Sequence, residues 1–136
     1  MLRRIIEPDL RLRLIYHRMK LPIVAILLLS MATSAHALPE SHYQDKWCTE
    51  HKGKAEVVLP DKTRVDCLTD SHAVEFDFGK KWAEAIGQSL YYSFQTGKRA
   101  GVVLILEKPQ DRKFFIRLNS VIDHYHLPID TWTVTP

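Results

Sequence analysis

Three carboxylates gather in the middle of the chain: Asp66, Glu75 and Asp77. Asp66 lies in the run RVDCL, and Glu75 and Asp77 lie in AVEFDF. Alternation of apolar and polar residues marks both runs as strands. The residues between them, Thr69, Asp70, Ser71 and His72, have turn composition, so the two runs fold back as a hairpin. A turn centred between Asp70 and Ser71 sets Asp66 opposite Glu75. Val74, Phe76 and Phe78 then face one way, and Ala73, Glu75 and Asp77 the other. Directly opposed carboxylates repel. A chain tolerates them where something positive stands between, or where each is solvated or paired with Arg64 or a lysine. Oxygen ligands of this kind suit Mg²⁺, Mn²⁺ or Ca²⁺.

A helix follows at once. Gly79 breaks the strand, residues 80–96 carry helical periodicity, and Gly97 closes it. Lys81, Gln88 and Tyr92 are spaced by seven and four, within about 40° of one line. Turned toward the hairpin, that line brings an ammonium, an amide and a phenol to the carboxylates. Lysine beside a metal orients water and stabilises charge on a phosphate. The apolar side is expected along Ala83, Ile86, Leu90 and Phe94, with Trp82 beside them. That places Lys81, Gln88 and Tyr92 on the opposite side, so an exposed surface line is the other reading.

The remaining elements position this core. Residues 41–51 read as a helix with Tyr43 and Trp47 four apart, ended by Gly53. Residues 55–59 read as a strand, returned through Pro60, Asp61, Lys62 and Thr63 into residues 64–68. Residues 102–106 form a continuous apolar run, as for a strand buried on both faces. A helix with a Phe115, Leu118 and Ile122 stripe runs from Pro109 and Asp111 to about His124. Residues 129–134 alternate as an edge strand. The class is α/β (α+β), with a mixed central sheet flanked by helices.

This order, αβββαβ, together with Asp66, Glu75-Phe76-Asp77 and Gln88-Ser89-Leu90-Tyr91-Tyr92, resembles the PD-(D/E)xK nuclease superfamily, the restriction-endonuclease-like fold. The resemblance spans about residues 41–107. It implies that Asp66 and Glu75 hold a divalent metal, normally Mg²⁺ or else Mn²⁺, and that the substrate is a phosphodiester, with nucleic acid as the partner. Glu50 matches an additional acidic ligand in the first helix, and Asp77 assists. Gln88 and Tyr92 match the QxxxY helix motif. The position two after Glu75 holds Asp77 where the family has lysine, and Lys81 (or Lys80) takes the displaced place. The catalytic set implied is Lys81, Gln88 and Tyr92. The alternative function is a catalytically silent binding or interaction module of the cell envelope on the same fold.

The N-terminus reads as a targeting segment. Met19-Lys20 precedes the apolar residues 21–29 and the small-residue end Ala35-His36-Ala37. This is the layout of a signal peptide, and the apolar run is short for the roughly 20 residues of a membrane span. An uncleaved anchor is the alternative. Residues 1–37 are thus expected to be a leader, with the signal at 19–37, and 38–136 a single exported domain, periplasmic or secreted. The leader holds six of the 19 basic residues and two of the 16 acidic ones. The remaining 13 and 14 give a net charge of −1, so the chain's +3 is no sign of nucleic-acid binding. Cys48 and Cys67, the two cysteines, are expected to form a disulfide in that oxidising setting. Lys98-Arg99, His51, His72, His124 and His126 read as ordinary surface or partly buried residues, and the three tryptophans as core.

Overall fold

A computed structural model describes residues 38–136. Residues 1–37, where a leader with a signal peptide is expected, lie outside the described residues. Among those described, no helix is long and apolar enough to cross a membrane.

Helix α1 spans Glu40–Glu50 and is followed by strands β1 (Lys54–Val58), β2 (Arg64–Leu68) and β3 (His72–Phe78). A 3₁₀ turn, Gly79–Lys81, leads into α2 (Trp82–Thr96), then β4 (Arg99–Ile105). A second 3₁₀ turn, Pro109–Asp111, opens α3 (Arg112–Tyr125), and β5 is Ile129–Val134. The five strands lie in sequence order, antiparallel from β1 to β3 and parallel from β3 to β5. The two parallel steps need crossovers, which α2 and α3 supply. The expected α+β class with a mixed sheet and flanking helices is therefore what the chain adopts. Strand β4 begins three residues earlier than its apolar run suggests, because Arg99 and Ala100 already pair with His72 and Ala73.

The helices divide between the two faces. Trp47 and Cys48 of α1 pack on Cys67, Val74, Phe76 and Val103. On the other face Ala85 of α2 and Leu118 and Ile122 of α3 cover Ala100, Val102, Leu104 and Ile129. Strand β4 is buried from Ala100 to Ile105, as its unbroken apolar run requires. Trp47 is buried, whereas Trp82 and Trp132 are half-buried at the cluster edges.

The expected apolar stripe of α2 is corrected. Phe94 is 81 % exposed and Ala83 is also exposed, while Ala85, Ser89 and Tyr92 are buried. The helix lies across β3 and β4 with α3 beside it, so Trp82, Ile86 and Leu90 turn toward the α3 side. That rotation brings the Tyr92 ring against Leu59, Val65 and Ala73 of the hairpin face. Gly97 ends α2 at φ +68°, a left-handed conformation that glycine adopts without a Cβ penalty.

Cys48 and Cys67 are joined, their Cα atoms 5.7 Å apart, and the bond ties α1 to β2. Gly53 makes room for it. A Cβ there would stand 2.5 Å from Cys67 Sγ and 2.8 Å from Cys48 Sγ. Gly53→Ala is therefore expected to cost about 1–3 kcal/mol of oxidised-state stability. Thermal unfolding with and without reductant checks this, since the deficit should shrink once the sulfurs are free to part. An equal deficit under both conditions would mean the clash is not with the disulfide.

Candidate functional site

The β2–β3 ladder is short. Cys67 pairs with Val74 and Leu68 with Ala73, the predicted register, and there the ladder ends. One residue further, the Asp66 side chain takes over. Its Oδ2 accepts the Phe76 N–H at 2.8 Å, a bond that a strand backbone would otherwise make. The alternation of β2 breaks at the same point. Cys67 packs on the α1 face, yet Val65, two residues away, packs on the α2 face with Ala73 and Tyr92.

The cause lies in β1. Between the pairs Ala55–Cys67 and Val57–Val65, Glu56 stands at φ +56°, in the left-handed region. Such a residue bends a ladder and costs on the order of 1 kcal/mol unless its surroundings hold it. Here they do. Gln44 of α1, 3 % exposed, donates from one amide nitrogen to Glu56 Oε1 at 2.6 Å and to the Asp66 carbonyl at 2.8 Å. Arg64 Nε pairs with the other Glu56 oxygen at 2.7 Å. The hairpin is fastened to α2 as well, where the Tyr91 hydroxyl donates to Asp61 in the β1–β2 turn.

A cleft of about 330 Å³ opens beside this bend. Asp66, Glu75, Asp77, Lys81, Gln88 and Tyr92 all line it, joined by Glu40, Arg64, Phe76 and Glu84. Six of the seven predicted site residues thus share one cavity. Glu50 does not. It is exposed and borders a separate hollow with His42, Lys46, Trp47 and Val134. Glu50 follows Gln44 by six residues, about 240° around the helix, while Glu40 precedes it by four, about 40° away. The first helix therefore contributes Glu40, from its opening turn.

The acids are crowded and dry. Glu75 is 4 % exposed and Asp77 2 %. No N–H or O–H of the protein reaches Glu75 Oε2. Its carboxyl neighbour is Asp66, an acceptor against an acceptor, and the pair holds together only with a proton or a cation between them. Burial, then the charges of Asp66 and Asp77, push the Glu75 carboxyl up to about 9. Burial raises Asp66 too, against the opposing Phe76 N–H bond. Burial likewise raises Asp77, with Lys81 opposing. Burial and the charges of Asp77 and Asp66 lift Glu40 to about 7.

Lys81 Nζ lies 3.3 Å from Asp77 Oδ1, and that carboxylate raises the lysine's pKa. Burial and the nearby Glu75 raise the Tyr92 phenol, with Gln88 opposing. Tyr92 is thus half hydrophobic brace and half protonated donor at the cleft wall. Among the described residues, no three Asp, Glu, His or Cys side chains already stand as a finished metal-binding group. The donor set nonetheless fits a hard cation: all oxygen, largely dehydrated, with one buried carboxylate oxygen lacking a donor.

Elsewhere, a larger hollow of about 530 Å³ is lined by Leu106, Pro109, Thr133 and Pro136 with Glu107, Lys108 and Arg112. It lacks a buried acidic cluster. At the far end of the sheet, Asp130 accepts from His72 Nε2 at 2.7 Å and from Arg99 in a two-pronged pair. These residues brace the starts of β3, β4 and β5.

Sequence reading missed Glu40, Gln44, Glu56 and Glu84, and named Arg64 only as a partner for the opposed carboxylates, whereas it pairs with Glu56. A usable signal existed for two of them. Glu40, Gln44 and Cys48 recur every four residues, which places a glutamine on the buried side of α1. No family model matches the chain, and no curated protein or solved structure matches it.

Proposed function

We propose that the chain is an exported, divalent-metal-dependent phosphodiester hydrolase of the PD-(D/E)xK type. The observation that carries this reading is Glu75: a carboxyl with no donor for Oε2, buried against Asp66 and Asp77 in an open cleft. The element order αβββαβ, extended by α3 and β5, supports it.

Asp66 and Glu75 would hold Mg²⁺ or Mn²⁺, with Asp77 and Glu40 completing the oxygen set. Bound there, the ion supplies Lewis acidity toward a phosphate oxygen and lowers the pKa of water. The chain's own groups do the rest. Lys81, fixed by Asp77 at the cleft wall, sets a positive charge where phosphate oxygens gather. Tyr92 stays protonated at neutral pH and can donate at the cleft wall beside Gln88. The Phe76 N–H keeps the Asp66 carboxylate aimed into the cleft rather than into solvent.

Cleavage of single- and double-stranded DNA and RNA by the purified protein tests the proposal. Activity should require Mg²⁺ or Mn²⁺, vanish with chelator, and fall by about a hundredfold in Lys81→Met. The second reading is a silent binding module. It is favoured by the Lys81–Asp77 pair, which occupies the lysine, and by the unassembled ligand set. A folded protein that cuts none of these substrates with either metal would select it.

A further inference from the structure

We infer that Arg64 binds a phosphate adjacent to the one being cleaved, so that the site prefers a substrate carrying a second phosphate over a lone diester. This rests on the phosphodiester-hydrolase reading and goes beyond it. Arg64 lines the cleft, and its charge is felt at Asp66. Its side chain is 61 % exposed. What distinguishes it from a free surface arginine is its anchor. Glu56 holds the Nε at 2.7 Å, and Glu56 is itself held at 2.6 Å by the buried amide of Gln44. A guanidinium pinned by Nε keeps both terminal nitrogens for a planar, two-pronged contact, the geometry that matches phosphate.

The direction of that anchor decides which phosphate is met. Glu56 is on β1, Asp66 on β2 and Glu75 on β3. Adjacent strands are about 4.8 Å apart, so the anchor stands roughly 10 Å from Glu75 across the sheet. Lys81 serves the acidic centre from β3's end, through Asp77. Arg64, tied to Glu56, is held on the β1 side of that centre, where the next phosphate of an extended chain would be met.

The test uses dithymidine monophosphate without a terminal phosphate, with a 5′-phosphate, and with a 3′-phosphate. Wild type should favour one of the phosphorylated forms by about tenfold or more in kcat/KM, chiefly through KM. Arg64→Met should erase the preference, bringing the ratio of kcat/KM between the phosphorylated and unphosphorylated forms to about one. Arg64→Lys, which keeps charge but loses the fork, should lose most of it, and Glu56→Gln part of it. The same ratio is read as Kd by displacement of a fluorescent dinucleotide in excess Ca²⁺, so the inference stands or falls even if no substrate is cut. Thermal unfolding of each variant separates lost contact from lost fold. A wild type with no preference, or a preference that survives Arg64→Lys and Arg64→Met, overturns the inference.

Discussion

Glu75→Gln is expected to stabilise the metal-free protein at neutral pH and, in the same stroke, to abolish its response to divalent metal. The carboxyl ionises near 4.5 in an unfolded chain, and its folded value is pushed up to about 9 by burial and by Asp66 and Asp77. Its contribution is therefore complete below pH 4.5 and is lost progressively as the pH rises to about 9. In that window the unfolded chain gives up a proton that the folded chain retains. Asp66, Asp77 and Glu40 are raised as well and act in the same direction. Asp130 is lowered, first by its bond from His72, and its contribution is lost only at strongly acid pH.

The metal-free protein should thus be most stable in mildly acid solution and should weaken toward pH 9. A glutamine keeps the shape, never ionises, and donates an N–H to Asp66. The gain at pH 7 is at most about 3 kcal/mol, and below pH 4.5 there is none. Metal competes with these same protons, so excess Mn²⁺ should raise the wild-type melting temperature more at pH 8 than at pH 6. In Glu75→Gln that shift should vanish, with an affinity loss beyond the roughly 10–100-fold seen when an outer-shell partner is removed. Melting curves from pH 4 to 9, with chelator and with Mn²⁺, check both halves. A wild type whose stability is flat over this range would remove the buried, protonated Glu75 from the account.

How much of this was legible in the sequence follows from what each residue depends on. The hairpin register was legible because a one-residue slip would turn Val74 and Phe76 outward. The grouping of Gln88 and Tyr92 was legible because helix spacing fixes it, whereas Lys81 lies in the 3₁₀ turn before α2 and meets the acids through its pair with Asp77. Which side of α2 faces the sheet was not. Phe94 is apolar and exposed, Tyr92 is polar-tipped and buried, and the choice is made by Leu59, Val65 and α3, all distant in sequence. The bend at Asp66 was hidden for a similar reason. It needs Glu56 in a conformation a strand residue seldom adopts, stabilised by a glutamine twelve residues earlier. Glu50 was named from a helix expected to begin at residue 41, which left Glu40 out, whereas rotation about the helix axis puts Glu40 and not Glu50 at the cleft.

Removing the disulfide should have the largest effect on stability. Cys48→Ala with Cys67→Ala opens a link between residues 19 apart, worth about 3 kcal/mol in the chain-entropy account, or a fall of roughly 10–20 °C in Tm for a domain of this size. The consequence for the site is more telling. Helix α1 meets the sheet through Tyr43, Gln44, Trp47 and Cys48, and only Gln44 bonds to the bend at Asp66. Cys67 is the residue next to Asp66, so the disulfide clamps the helix one residue from the carboxylate. Freed from that clamp, α1 is still held by Trp47 against Phe76 and Trp132, with ring centroids 5.6 and 5.5 Å away. Those contacts are apolar and allow sliding, whereas the hydrogen bonds of Gln44 do not. At temperatures where the double variant is folded, its Mn²⁺ affinity should therefore be lower than wild type, and Gln44→Leu in the oxidised protein should reproduce that loss. If the double variant binds Mn²⁺ as tightly as wild type, the packing of Trp47 alone suffices to hold the bend, and the disulfide serves stability and nothing else.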